Sequence, residues 1–174
     1  MRVLGLAVDI PASRRPALRA VLLEVQLPAD GVAPLTDVTV ATTFEVPSVK
    51  EDLATQLCEL ASAVTARVQT LTPDVVVVRR ADISPRGAGG RNEGPRLRLL
   101  AEGAIIAAAR ALVVTHVRTG RECGLAYGAR KEEVEADAAT LVARAGAVSC
   151  CRPVRLPERR AGRQVAERVL TGWR

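Results

Sequence analysis

The sequence predicts an α/β protein in a single domain over residues 1–174, with a mixed five-stranded sheet flanked by helices: three antiparallel strands, then two parallel ones. Three observations predict it. The chain opens on a nearly continuous apolar run, Arg2–Ile10 (RVLGLAVDI), with one carboxylate, Asp9, where the run ends. A second such run, Asp74–Val78 (DVVVV), follows a long helical period and is bounded by proline and by charge. Apolar strands of this kind belong in the middle of a sheet, covered on both faces. Between them, Thr36–Val46 is β-branched and alternates with the period of a strand.

In the first strand, Val3, Gly5, Ala7 and Asp9 share one face and Leu4, Leu6 and Val8 the other. A carboxylate at the end of a central strand stands at the rim where α/β proteins place their sites. The plainer reading of Asp9 is a turn residue before Pro11. Leu18–Leu27 fits strand or helix by period and is taken as a strand because an alternating segment follows it. In that segment Val38, Val40, Thr42 and Phe44 take one face, and Thr39, Ala41, Thr43 and Glu45 the other.

Ser48 followed by Glu51 forms a capping box and predicts a helix start, with Leu53, Leu57, Leu60, Val64, Val68 and Leu71 as its apolar stripe. Thr72–Pro73 ends it. After the Asp74–Val78 strand, which must lie beside the first, come Arg79, Arg80 and Asp82, then a Gly-rich loop over Ile83–Pro95. A second helix is predicted over Arg96–Leu112, with Leu97, Leu100, Ala104, Ala108 and Ala111 toward the sheet, and a fifth strand over Val113–Val117. Thr119–Gly128 is expected as a loop. A third helix over Lys131–Ala145 is expected to turn Val134, Leu141, Val142 and Ala145 inward, with Glu132, Glu133, Glu135 and Asp137 outward. Ala147–Pro157 is expected to be extended and Glu158–Thr171 to form a last helix.

Composition narrows the function classes. One Phe, one Tyr and one Trp in 174 residues leave almost no platform for stacking bases, so a bound nucleic acid would be held by its backbone. The net charge of +6, nearly all of it from arginine, favours a polyanion partner, although an Arg- and Ala-rich chain can carry such charge without using it. Arg79, Arg80, Arg86, Arg91, Arg96 and Arg98 crowd one segment; Arg152, Arg155, Arg159, Arg160, Arg163 and Arg168 crowd another. Both suit phosphates without sequence readout, and the plainer reading is a solvated face. Cys58, Cys123, Cys150 and Cys151 lack CxxC spacing, and His116 does not complete a zinc set with them. Buried thiols in a reducing cytoplasm are expected, with no signal peptide and no membrane span. The glycines at 87, 89, 90 and 94 match neither a P-loop nor a dinucleotide fingerprint.

Strand, strand, strand, helix, strand, helix, strand, helix is an order that resembles the ribonuclease H-like fold, and within it the RuvC-type Holliday-junction resolvases. VLGLAVD resembles their first strand and PDVVVVR, after a long helix, their fourth. RLRLLAEGAIIAAAR resembles the helix after that strand, and RKEEVEADAATLVARA their later helical region. The resemblance spans Arg2–Ala145 and is one of pattern. It implies a carboxylate cluster holding two divalent ions, Mg²⁺ or Mn²⁺, that clamp the attacking and leaving oxygens of a phosphodiester. Its first ligand falls on Asp9. Its second, a glutamate, falls on Arg79, where a guanidinium would repel a metal and pair with Asp9 itself. The last ligands belong to a final helix, whose start here offers Arg159, Arg160 and Arg163 and no acid beyond Glu158.

These departures lead to the expectation of a nuclease homologue that needs no cofactor and binds DNA or RNA backbone through Arg79, Arg80, Arg86, Arg91, Arg96, Arg160 and Arg163. One alternative is an active Mg- or Mn-dependent endonuclease using Asp9, Asp82 and an acid of residues 132–137, such as Glu133 or Asp137. Asp82 would face away from Arg79 unless the strand bulges. Another is a non-enzymatic assembly protein for an acidic protein partner. The resemblance also implies a homodimer.

Overall fold

The computed structural model describes residues 1–11, 15–26, 37–48, 52–81, 93–128 and 130–148. Its strands are β1 (Arg2–Asp9), β2 (Ala17–Val25), β3 (Val38–Pro47), β4 (Val75–Arg80) and β5 (Thr115–Thr119). Its helices are α1 (Leu53–Leu71), α2 (Glu93–Arg110), α3 (Gly120–Tyr127) and α4 (Lys131–Val148). The sheet runs β3-β2-β1-β4-β5, so the opening strand is central, as its apolar run requires. β1 is antiparallel to β2, and β2 to β3, while β4 is parallel to both β1 and β5. This is the mixed sheet predicted, with the order of the two parallel strands right.

One face of the sheet is dry. Leu4, Leu6 and Val8 of β1 join Leu18, Ala20 and Leu22 of β2 and Val76 and Val78 of β4 against Leu60, Val64 and Val68 of α1 and Ala101, Ile105 and Ala109 of α2. Each fully buried Leu or Ile in this layer contributes about 1.5–3 kcal/mol by leaving water. The opposite face of β1, expected to be buried too, is only half-buried at Val3, Gly5, Ala7 and Asp9. Gly5 sits opposite Val21, and a Cβ there would come within 3.1 Å of Val21 Cγ1, so the bare backbone at this position lets the valine lie across the strand. β3 carries a bulge opposite Leu22 and Leu23, and its predicted alternation holds, with Val38, Val40, Thr42 and Phe44 on the more buried side.

Local signals explain most helix ends, and where they compete the tertiary context decides. α1 is capped by Asp52, whose side chain accepts from the Thr55 amide at 2.7 Å, and not by Ser48. Ser48 fails as a cap because its own amide, donating to Pro16 O at 3.2 Å, extends the β2–β3 ladder. The helix therefore starts beyond it, and Leu53 is 42% exposed instead of joining the stripe. Thr72 closes α1 in the left-handed region, φ 44°, with its amide on Val68 O, and Pro73 prevents continuation.

α2 packs a different face from the one expected. Ala101, Glu102, Ile105 and Ala109 are buried, while Leu100 and Ala111 are exposed. An apolar-only stripe passes over Glu102, and that buried carboxylate fixes the helix rotation. Thr119–Gly128, expected as a loop, is helix α3 with its caps: Thr119 and Glu122 form a capping box, and Gly128 closes the end at φ 69°. α4 runs three residues past its expected end, and Glu135, assigned to its outer face, points to the sheet. Val142, assigned inward, is 45% exposed. Cys58 is exposed and Cys123 half-buried, against the expectation of buried thiols. The predicted elements after Val148 lie outside the described residues.

Candidate functional site

Strand register places five side chains level across the half-buried face. Glu45 of β3 pairs with Arg19 of β2, Arg19 with Ala7 of β1, Ala7 with Arg79 of β4, and Arg79 with Arg118 of β5. Residues directly opposite one another point the same way, so the row Glu45–Arg19–Ala7–Arg79–Arg118 shares the face of Asp9 and lies opposite α1 and α2. Two strand spacings separate Arg19 from Arg79, roughly 10 Å between backbones, with only the methyl group of Ala7 between them. The next row inward contains Gly5, Val77 and His116.

Two arginines of this row, Arg19 and Arg79, are engaged by acids. Arg19 Nη2 stands 3.1 Å from Asp9 Oδ2 and its Nε 3.7 Å from Glu45 Oε2, so one guanidinium bridges two strands. Arg79 Nη2 donates to Glu135 Oε1 of α4 at 2.6 Å. The expected pairing of Arg79 with Asp9 is therefore not the one formed. Both arginines flank Ala7 and both stand diagonal to Asp9, but α4 brings Glu135 onto Arg79 and leaves Asp9 to Arg19.

Beyond Arg80 the strand end is held from the dry side. Glu102 Oε1 accepts from the Ala81 amide and from Arg98 Nε, each at 2.9 Å. The residue is 1% exposed, and its Oε2 is buried with no hydrogen-bond partner among the described residues. Burial keeps His116 below the ordinary histidine range, and the charges of Arg118 and Arg110 push it the same way. Glu122 is held low first by the Thr119 amide and then by the Thr119 hydroxyl, with Arg118 and Arg80 contributing.

Of the candidate residues singled out from sequence, Asp9, Arg79, Arg80, Arg96, Glu133 and Asp137 are described. Arg79, Arg80 and Arg96 are exposed and Asp137 is half-buried. Asp82, Arg86, Arg91, Arg160 and Arg163 lie outside the described residues. Arg19 and Glu102 were not among the candidates, and Glu135, one of the acids of residues 132–137, was expected on the outer face of its helix. Leu18–Leu27 fits strand or helix by period, so the sequence showed neither which way Arg19 points nor what it meets.

A two-ion centre needs several hard oxygen ligands converging on one point. Asp9 is already paired with a guanidinium, and among the described residues no three of His, Cys, Asp and Glu gather into a metal-holding group. Glu135 and Asp137, two apart on a helix, do not face the same way. The described donor set does not fit two divalent ions.

No protein-family model matches the sequence, and no curated protein matches it either. Solved structures do. The structure of Thermus thermophilus RuvC superposes with a TM-score of 0.61 at 17% identity, covering 97% of this chain and 89% of that one. The fold is that of RuvC. T. thermophilus RuvC in complex with Holliday junction substrate superposes with a TM-score of 0.54 at 16% identity, over 74% of this chain and 72% of that one. The RuvC-like, ribonuclease H-like architecture expected from VLGLAVD and PDVVVVR is thus the one observed, with β1 and β4 side by side at its centre.

Proposed function

We propose that this chain is a RuvC-like nucleic-acid-binding protein that grips the sugar-phosphate backbone with arginines and does not cleave it. The observation that carries this reading is the occupied carboxylate. Asp9 Oδ2 lies 3.1 Å from Arg19 Nη2, in a fold shared with a protein solved on Holliday junction DNA. The net charge of +6, the exposed Arg79, Arg80 and Arg96, and the near absence of aromatic residues support backbone contacts over base stacking. Among the described residues no helix is long and apolar enough to cross a membrane.

Fluorescence anisotropy with a labelled four-way junction and with duplexes of two unrelated sequences tests the reading. Binding is expected at about 50 mM salt, weakening steeply as salt rises and similar for the two duplexes. The junction and duplexes stay intact in Mg²⁺ or Mn²⁺. Absence of binding at low salt rejects the proposal. Cleavage by the wild type that Asp9→Asn abolishes replaces it with an endonuclease built on Asp9, Asp82 and Asp137.

A further inference from the structure

We propose that the guanidinium row on the half-buried face is a phosphate-binding strip that α4 covers through Glu135, so that backbone phosphates and Glu135 compete for Arg79. The proposal rests on the nucleic-acid reading above and adds to it where the backbone is held and what holds the strip closed in the free protein.

Three observations carry it. Register sets Arg19, Arg79 and Arg118 level across three strands, and Ala7, the one small residue among them, leaves room for an anion to approach between Arg19 and Arg79. A phosphodiester presents a guanidinium with the same fork of acceptor oxygens as a carboxylate, so a phosphate and Glu135 satisfy the same donors on Arg79. The acid that occupies Arg79 comes from a separate element. Glu135 is 56 residues away, and its side chain and that of Arg79 are 48% and 45% exposed. An exposed pair of this kind biases an equilibrium by no more than about five-fold, which a partner with several phosphates easily overcomes.

α4 itself is lightly attached. None of its described side chains is buried; Val134, Leu141 and Ala145 are half-buried, and the first turn carries Glu132 and Glu133. A helix with acidic residues at one end and few buried apolar contacts opens at small cost. Arg19 differs, since both its acids, Asp9 and Glu45, belong to strands of the sheet and cannot leave. Of Arg19 and Arg79, it is therefore Arg79 whose partner can be exchanged.

A double-mutant cycle on the full chain decides it, with anisotropy of the labelled four-way junction at fixed salt as the readout. Glu135→Gln is expected to tighten binding by about two- to five-fold, because the competitor is gone. Arg79→Gln is expected to weaken binding, and Glu135→Gln added to it to give no further gain. A gain from Glu135→Gln of the same size in both backgrounds overturns the proposal, since it then reflects only the loss of one negative charge. No gain at all in the wild-type background overturns it too. Either result leaves the nucleic-acid reading standing, whereas failure of all four proteins to bind removes that reading and this one together.

Discussion

Arg19 reaches diagonally across the antiparallel pair to Asp9, Nη2 to Oδ2 at 3.1 Å, and the same side chain extends to Glu45 on its other side. The carboxylate at the end of the central strand is thus one end of a three-residue ionic bridge across β1, β2 and β3. Removing different members of such a bridge has different consequences. Asp9→Asn leaves Arg19 with Glu45, while Arg19→Gln takes the cation from both Asp9 and Glu45.

Arg19→Gln is therefore expected to destabilise more than Asp9→Asn. All three side chains are substantially exposed, so solvent screening keeps each loss below about 1 kcal/mol. Urea unfolding of the two variants checks the order. The reverse order, or a loss from Asp9→Asn of several times that size, would mean that Asp9 has a partner beyond Arg19.

Glu102 is the buried carboxylate whose loss is expected to cost most. Glu102→Ala leaves the Ala81 amide and Arg98 Nε without their acceptor and is expected to destabilise by about 2–3 kcal/mol, less than for a fully buried pair because Arg98 is partly exposed. Glu102→Gln keeps a carbonyl oxygen for Ala81 and loses less. Urea midpoints at constant slope measure both, and equal costs for the two variants would refute the role given to the Ala81 bond.

His116 gives the stability a pH dependence of definite sign. Its folded-state pKa is depressed, by burial first and by Arg118 and Arg110 next, so the unfolded chain takes up the proton first as pH falls. Its contribution to stability is complete above the ordinary histidine pKa and is lost as pH drops through that range toward the folded value. His116→Gln is expected to flatten the stability curve between about pH 7 and pH 5. Arg118→Gln is expected to raise the titration midpoint of His116 in NMR. A midpoint at or above the ordinary value in the wild type would exclude this account.

Gly5 and Val21 are expected to behave as a packing pair. A Cβ at Gly5 would already stand 3.1 Å from Val21 Cγ1, so Gly5→Val overpacks the central pair of strands. The expected cost is about 1–3 kcal/mol, and Val21→Ala in the same chain should restore part of it. Thermal unfolding of the single and double variants shows whether the two costs couple, and purely additive losses would separate the residues.

Much of the fold was legible because it is written in short periods. Arg2–Ile10 and Asp74–Val78 are apolar runs that suit a sheet centre, and Thr36–Val46 alternates; those three segments and their order lead to the sheet observed. α3 was legible but unread. Thr119 and Glu122 stand at capping-box spacing and Gly128 at a left-handed close, yet eight residues carry too little apolar period to announce a helix. At Ser48–Glu51 and Asp52 two cap signals overlap, and the hydrogen bond from Ser48 to Pro16 settled which was used. The face of α2 differs from the one expected because Glu102, polar by type, is buried for the sake of Ala81, just past β4, and Arg98 on its own helix.

The sequence by itself determined that the first and fourth strands are central and that Asp9 and Arg79 stand at their ends, while the second strand was open between strand and helix by period. Only the tertiary structure decided which charge meets which. Arg19 and Arg79 are equivalent neighbours of Ala7, and no local period distinguishes them. The choice falls to α4, whose Glu135 lies 56 residues beyond Arg79 in the chain and reaches it only after the sheet has paired and the helix has crossed its face. Long charged side chains contact whatever the register and the covering layer bring within a few ångströms, and both are properties of the assembled sheet.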